Sequence, residues 1–179
     1  MHCRKLKNRR RRGSTMLEFV LVGIALMFIW ITVLEMARGM WQYHTLQYAV
    51  KQTAQYATKH GASCASPNTC QVTVGNVVNV FSYYAGVLPL NSVQLSLTSS
   101  SGTVTCAVVS TCSTNGSWST QWPPSGANAV GADIWVTANY TFTSALLLFI
   151  PTSGTVRFGS SLGGGAFNFP GYSHMQIVF

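Results

Sequence analysis

Residues 19–34 form an apolar run without a single ionisable side chain, and a dense basic block precedes it. With Met16 and Leu17 included, the stretch 16–34 is nineteen residues long, close to the roughly 20 needed to span a bilayer core as a helix. Arg9, Arg10, Arg11 and Arg12 stand immediately before it. Basic residues flanking a membrane segment stay on the cytoplasmic side, so the C-terminal bulk is expected across the membrane. A cleaved secretory signal is the competing reading. Its apolar core is ordinarily ~7–15 residues and ends at a small-x-small site. Here the run is longer and leaves through Val33, Leu34, Glu35, Met36, Ala37 and Arg38, so the segment is read as retained.

The formal charge of +8 is concentrated at the same end. Arg4, Lys5, Lys7 and Arg9 to Arg12 supply nearly all of it. Arg38, Lys51, Lys59 and Arg157 almost balance Glu18, Glu35 and Asp133 over the rest. The basic pI therefore implies no basic surface on the body of the protein. Basic blocks also mark nucleic-acid arms, but one abutting an apolar segment is better explained by topology. No nucleic-acid partner is expected.

Helical character continues beyond the apolar run. Residues 35–60 contain no proline and only one glycine, Gly39. Leu34, Ala37, Trp41, Tyr48, Gln52 and Gln55 fall close to a helical stripe, with Leu46, Ala49, Val50, Thr53, Ala54 and Ala57 beside it. Lys59 and His60 followed by Gly61 make a C-terminal stop. A helix over 14–60 would be roughly 70 Å long at ~1.5 Å per residue. Its outer half therefore needs a protein partner: the domain that follows, sister helices, or both.

Beyond Gly61 charge nearly vanishes, and Ser, Thr, Asn, Gly and aromatic residues dominate. Residues 71–85 space Val74, Val77, Val78, Phe81 and Tyr84 as a short helix, although the valines also permit a strand. Val93, Leu95 and Leu97 alternate with polar residues, a Ser/Gly turn follows at 99–102, and residues 103–109 answer as a second strand. Residues 133–142 put Ile134, Val136, Ala138, Tyr140 and Phe142 on one face of a third. The stretch 158–170 reads as a glycine-rich loop, and residues 176–179 as a last strand. The expected fold is α+β: a long N-terminal membrane-spanning helix, then a small antiparallel-sheet domain packed on its outer half. The chain divides into a basic cytoplasmic leader (1–13), the long helix (14–60, with its transmembrane part about 16–34) and an exported disulfide-bonded domain (61–179).

Five cysteines sort by position. Cys3 lies in the leader. Cys64/Cys70 and Cys106/Cys112 share the spacing Cys-x5-Cys. Three connectivities are open to four cysteines; the local pairs are favoured, each closing a short loop in an oxidising compartment. A four-cysteine zinc site is the rival, but its ligand pairs usually stand two to four residues apart. No metal or other cofactor is expected. Catalysis finds little support: past the helix the only acid is Asp133 and the only histidine after His60 is His174. Neither a carboxylate pair nor a metal-ligand cluster can be assembled, and Gly163, Gly164 and Gly165 carry no phosphate-binding context. The chain is not expected to be an enzyme. Trp118, Trp122 and Trp135 are more often core than contact surface; the run Trp122, Pro123, Pro124 is the piece expected at the surface.

The junction before the apolar run carries the most specific pattern. Gly13 directly follows the arginines, then Ser14, Thr15, Met16, Leu17, Glu18 and Phe19. An acid inside a membrane segment costs ~2.5–3.5 kcal/mol at the centre and less near an interface, so such acids usually have a task. The alternative is that Glu18 reaches the cytoplasmic interface from the helix end. The junction resembles the type III leader of type IV pilins, which prepilin peptidase cuts after the glycine. The resemblance implies a cut between Gly13 and Ser14, with Glu18 and Phe19 in subunit assembly and Glu18 facing the new amino terminus of a neighbouring subunit. Residues 12–22, with Leu34 to Arg38 and Gln47 to Ala54, more narrowly resemble the TadE-like family, minor pilins or pseudopilins of tight-adherence (Flp-type) pili. That resemblance implies an inner-membrane, single-pass protein with a cytoplasmic N-terminus and a periplasmic C-terminal domain. Its implied partners are the lipid bilayer, other pilin or pseudopilin subunits, the inner-membrane pilus assembly machinery and prepilin peptidase. The implied role is pilus assembly or adhesion. A permanently anchored envelope interaction or assembly protein that never enters a filament is the alternative.

Overall fold

The computed structural model describes residues 11–64, 70–144 and 166–178. Its elements are helix α1 (Arg11–Thr58), helix α2 (Val74–Tyr84) and strands β1 (Val93–Ser99), β2 (Gly102–Cys106), β3 (Asp133–Thr143) and β4 (Ala166–Gln176). Compactness divides the chain after Arg38. The first unit is the apolar part of α1; the second holds the rest of α1 and everything beyond it.

The described residues of the first unit are helix, and from Thr15 onward most of their side chains are exposed. Nothing in residues 19–34 breaks it, and Thr32, the one hydroxyl there, returns its Oγ1 to the carbonyl of Phe28 at 2.8 Å. That bond satisfies a group which would otherwise be costly in an apolar medium. Glu35 and Arg38 close the apolar stretch, with Nη1 and Oε1 3.2 Å apart at i,i+3. The helix already includes Arg11, where the described residues begin, and it ends at Thr58 rather than His60. Lys59 N–H donates to Tyr56 O and His60 N–H to Ala57 O, a tighter final turn that brings the chain out of the helix.

In the second unit a four-stranded antiparallel sheet, ordered β2-β1-β3-β4, covers one face of α1. The α+β architecture is as the sequence predicts. The buried helix face is Leu46, Ala49, Val50, Thr53, Ala54 and Ala57. It is not the Leu34–Ala37–Trp41–Tyr48 stripe, whose members are exposed. Small side chains at 49, 54 and 57 make up much of this buried face. Strand β4 runs alongside α1 in the same direction. Gln47 Nε2 donates to Pro170 O at 2.8 Å, and Val178 N–H donates to Thr58 O. Between these points a Cβ on Gly171 would lie 3.0 Å from Val50 Cγ2 and 3.2 Å from Leu46 Cγ, so a glycine permits this approach.

Helix α2 resolves the helix-or-strand ambiguity of residues 71–85. Thr73 caps it through Oγ1, accepting from Asn76 N–H at 3.3 Å. Val74, Val77, Val78 and Phe81 are buried in one core with Leu95, Leu97, Ile134 and Val136. Strands β1 and β3 show the alternation the sequence requires, β3 burying Ile134, Val136, Ala138, Tyr140 and Phe142. The second strand stops at Cys106, earlier than residue 109, because a 3-10 turn over Val109–Thr114 carries the chain away.

Two expectations are overturned. Residues 166–170 belong to β4, not to a glycine-rich loop, and the last strand ends at Gln176 instead of starting there; residues 158–165 of the expected loop lie outside the described residues. Pro170 is tolerated because β4 is an edge strand, where a missing N–H need not break a ladder. The second correction concerns Trp122, Pro123 and Pro124. Trp122 and Pro123 are buried. Trp122 N–H donates to Val72 O at 2.9 Å, and Thr73 bridges Gln121. These bonds hold the segment beside the start of α2 and carry the indole into the core.

Candidate functional site

The candidate site begins with the apolar part of α1. Residues 15–58 contain a helix long and apolar enough to cross a membrane, and its most apolar window has no side chain buried inside the structure. Phe19 is 79% exposed and Trp30 62% exposed. Burying such side chains stabilises by about 1.5–3 kcal/mol each. A helix exposing them in every direction therefore calls for an apolar surrounding.

Glu18 sits at the start of this surface, exposed, with Leu17 and Phe19 on either side. One helical turn separates it from Ser14, so the two positions share a face of α1. The Gly13–Ser14 bond lies within the first turn of α1. Arg11 and Arg12 open the helix, while Arg9, Arg10 and Cys3 lie outside the described residues. The chain thus brings positions 14 and 18 into register along a single helix face, with apolar side chains following.

The cysteines separate into two local pairs at disulfide distance. Cα–Cα separations are 5.6 Å for Cys64 and Cys70 and 5.3 Å for Cys106 and Cys112, inside the usual range of about 4.4–6.8 Å. Cys106 and Cys112 are buried in the core and tie the end of β2 to the following 3-10 turn. Cys64 and Cys70 lie nearer the surface, on a loop whose intervening residues, 65–69, are outside the described set. Among the described residues no group of three or more His, Cys, Asp or Glu could hold a metal ion.

Two features of the second unit escape sequence reasoning. Asp133 and His174 meet across β3 and β4, Oδ1 to Nε2 at 2.8 Å, and the imidazole stacks on Trp135 at 5.1 Å between ring centroids. The register Trp135↔His174 creates this pairing, and only knowledge of β4 would have exposed it. The group is open to solvent, and it is an ion pair only when the imidazole is protonated. The other feature is a groove of about 410 Å³ between α1 and α2, lined by Gln52, Gln55, Tyr56, Lys59, Asn79 and Tyr83, among others. Partial burial there raises the Tyr56 hydroxyl above its ordinary pKa.

No curated protein and no solved structure matches the chain. Residues 13–55 match the family model described as TadE-like protein, the stretch that holds Gly13, Ser14, Glu18, the apolar run and most of the packed half of α1.

Proposed function

We propose that the chain is a pilin-like structural subunit or minor pseudopilin of a tight-adherence pilus, inserted in the inner membrane through α1 and acting in pilus assembly or adhesion. One observation carries this reading: an exposed apolar helix with an acid, Glu18, one turn after the Gly13–Ser14 junction, all within the TadE-like match. After cleavage at that junction, the Ser14 amino group of one subunit meets the Glu18 carboxylate of a neighbour. Opposite charges ~4 Å apart gain about 4 kcal/mol at an effective dielectric of 20, which favours insertion of each helix into a bundle of identical helices. Phe19 packs in the same bundle. The second unit lies on the periplasmic side, where Cys64–Cys70 and Cys106–Cys112 form disulfides. Its partners are sister subunits, the inner-membrane assembly machinery, prepilin peptidase and lipid. No chemical step is assigned to it.

A second reading has its own support. The Gly13–Ser14 bond lies inside α1, and a peptidase needs the scissile bond in extended form. A leader that remains helical and uncut would make the chain a permanently anchored envelope assembly protein. The presence of the wild-type chain in sheared filaments separates the two, and Glu18→Ala then tests the acid. In the pilin reading, the variant reaches the membrane at normal levels and is lost from sheared filaments. Filaments containing the variant at wild-type levels would remove Glu18 from assembly.

A further inference from the structure

The end of the second unit where its chain begins is aromatic. Gly39 opens this unit, and a Cβ there would stand 3.7 Å from the ring tips of both Phe142 and Phe169. Tyr43 meets Phe169 edge-on at 5.8 Å, and Phe142 stacks on Phe169 at 5.5 Å. The rings of β3 and β4 thereby fix one end of the sheet against the first turns of this part of α1. Around that cluster, Met40 is 62% exposed, Trp41 64% and Phe167 43%, with Tyr43 partly exposed beside them.

The charges nearest this end are Glu35 and Arg38, paired with each other in the turn before Gly39. Among the described residues of the second unit, the ionised side chains are Lys51, Lys59 and Asp133. Lys51 and Lys59 lie two turns or more further along α1. Asp133 stands at the far end of β3, paired in register with Gln176, whereas Phe142 pairs with Phe167. The chain also leaves β3 and re-enters β4 at this end.

Only four residues, Glu35 to Arg38, separate Leu34, the last of the apolar run, from Gly39. Even fully extended, the chain from Leu34 to Gly39 reaches no more than about 18 Å. Whatever the angle between the two units, a membrane holding the apolar run holds this end of the second unit near its surface. Trp and Tyr favour the headgroup layer, where a ring can sit in apolar surroundings with its N–H or O–H in water.

We infer that Met40, Trp41, Tyr43 and Phe167 form an interfacial foot that rests in the phospholipid headgroup layer and sets the standing position of the outer domain on the membrane. The inference rests on the proposed membrane anchor, and its test keeps the two apart. The full chain is reconstituted in phosphatidylethanolamine/phosphatidylglycerol vesicles at low protein density. Nitroxide quenchers are placed either on the headgroup or near the end of the acyl chain. Subtracting the emission of Trp30→Phe and of Trp41→Phe from that of the wild type isolates the Trp30 and Trp41 signals. The foot requires Trp41 to be quenched severalfold more by the headgroup nitroxide than by the deep one, while Trp30 is quenched from within the acyl region. In a Trp41→Phe background, Phe167→Trp places a reporter on β4 that shows the same shallow quenching. If Trp30 is quenched by lipid and Trp41 responds only to aqueous iodide, the foot is wrong and the anchor stands. Trp41 shielded from every quencher would mean that protein, such as a second copy, covers it, and overturns the foot. A Trp30 untouched by any lipid nitroxide overturns both.

Discussion

The two parts of α1 have similar helical backbones and opposite surroundings. From Thr15 to Leu34 most large apolar side chains are exposed, and none in the most apolar window is buried within the structure. From Gly39 onward the same helix buries Leu46, Ala49, Val50, Ala54 and Ala57 against a sheet, while Met40, Trp41 and Tyr48 stay exposed. Sequence apolarity alone does not separate these situations. The difference lies in side-chain size and in what each face meets. The packed half buries mostly small side chains, Ala49, Ala54 and Ala57 among them; the other half is dominated by Phe, Leu, Ile, Val, Met and Trp, which suit lipid or loosely packed sister helices.

That contrast predicts which substitutions are felt where. The largest effect falls on the packed unit. Phe81 is fully buried beside Val77 and Val78, so Phe81→Ala should lower domain stability by about 3–5 kcal/mol, read by urea unfolding, without altering membrane association. Ile24→Arg should do the reverse. Placing a charge in the apolar run costs about 2.5–3.5 kcal/mol on insertion scales, visible as protein lost from carbonate-washed membranes with the unfolding midpoint of the outer domain unchanged. If Ile24→Arg unfolds the outer domain, the two halves are not the separate surroundings described here.

The remaining predictions sharpen the packed side. Replacing Cys106 and Cys112 by alanine opens a short loop and should cost about 2 kcal/mol on the chain-entropy model, checked by thermal unfolding under oxidising conditions. Equal stability of oxidised and reduced wild-type protein would contradict a bond there. Thr73→Ala removes the cap of α2 and should cost about 1 kcal/mol, with Thr73→Ser restoring most of it.

How far these features were legible differs by element. The apolar run, the alternation of β1 and the buried face of β3 can be read directly because each repeats one periodicity over many residues. Choosing the packed face of α1 could not be done that way. Two adjacent stripes of the helix are apolar enough to qualify, and the sheet selected the one with smaller side chains. Strand β4 was hidden by Pro170 and Gly171, which mark a break locally; an edge position and a close approach to Val50 make them acceptable in the fold. Without β4 the meeting of Asp133 with His174 was also invisible. Trp122 misled because Pro123 and Pro124 signal a surface turn, while the hydrogen bond to Val72 draws the indole inward. The candidate site was more legible than the fold, since the basic block, Gly13, Glu18 and the apolar run are contiguous in sequence.

The central claim is that the chain enters a pilus-type assembly through a helix freed of its leader. Its most direct test is the N-terminal mass of the protein isolated from its own cells, with prepilin peptidase present and absent. The account predicts a mature terminus at Ser14 only when the peptidase is present. A full-length terminus in both preparations would contradict it and leave Gly13 and Glu18 as features of membrane topology alone.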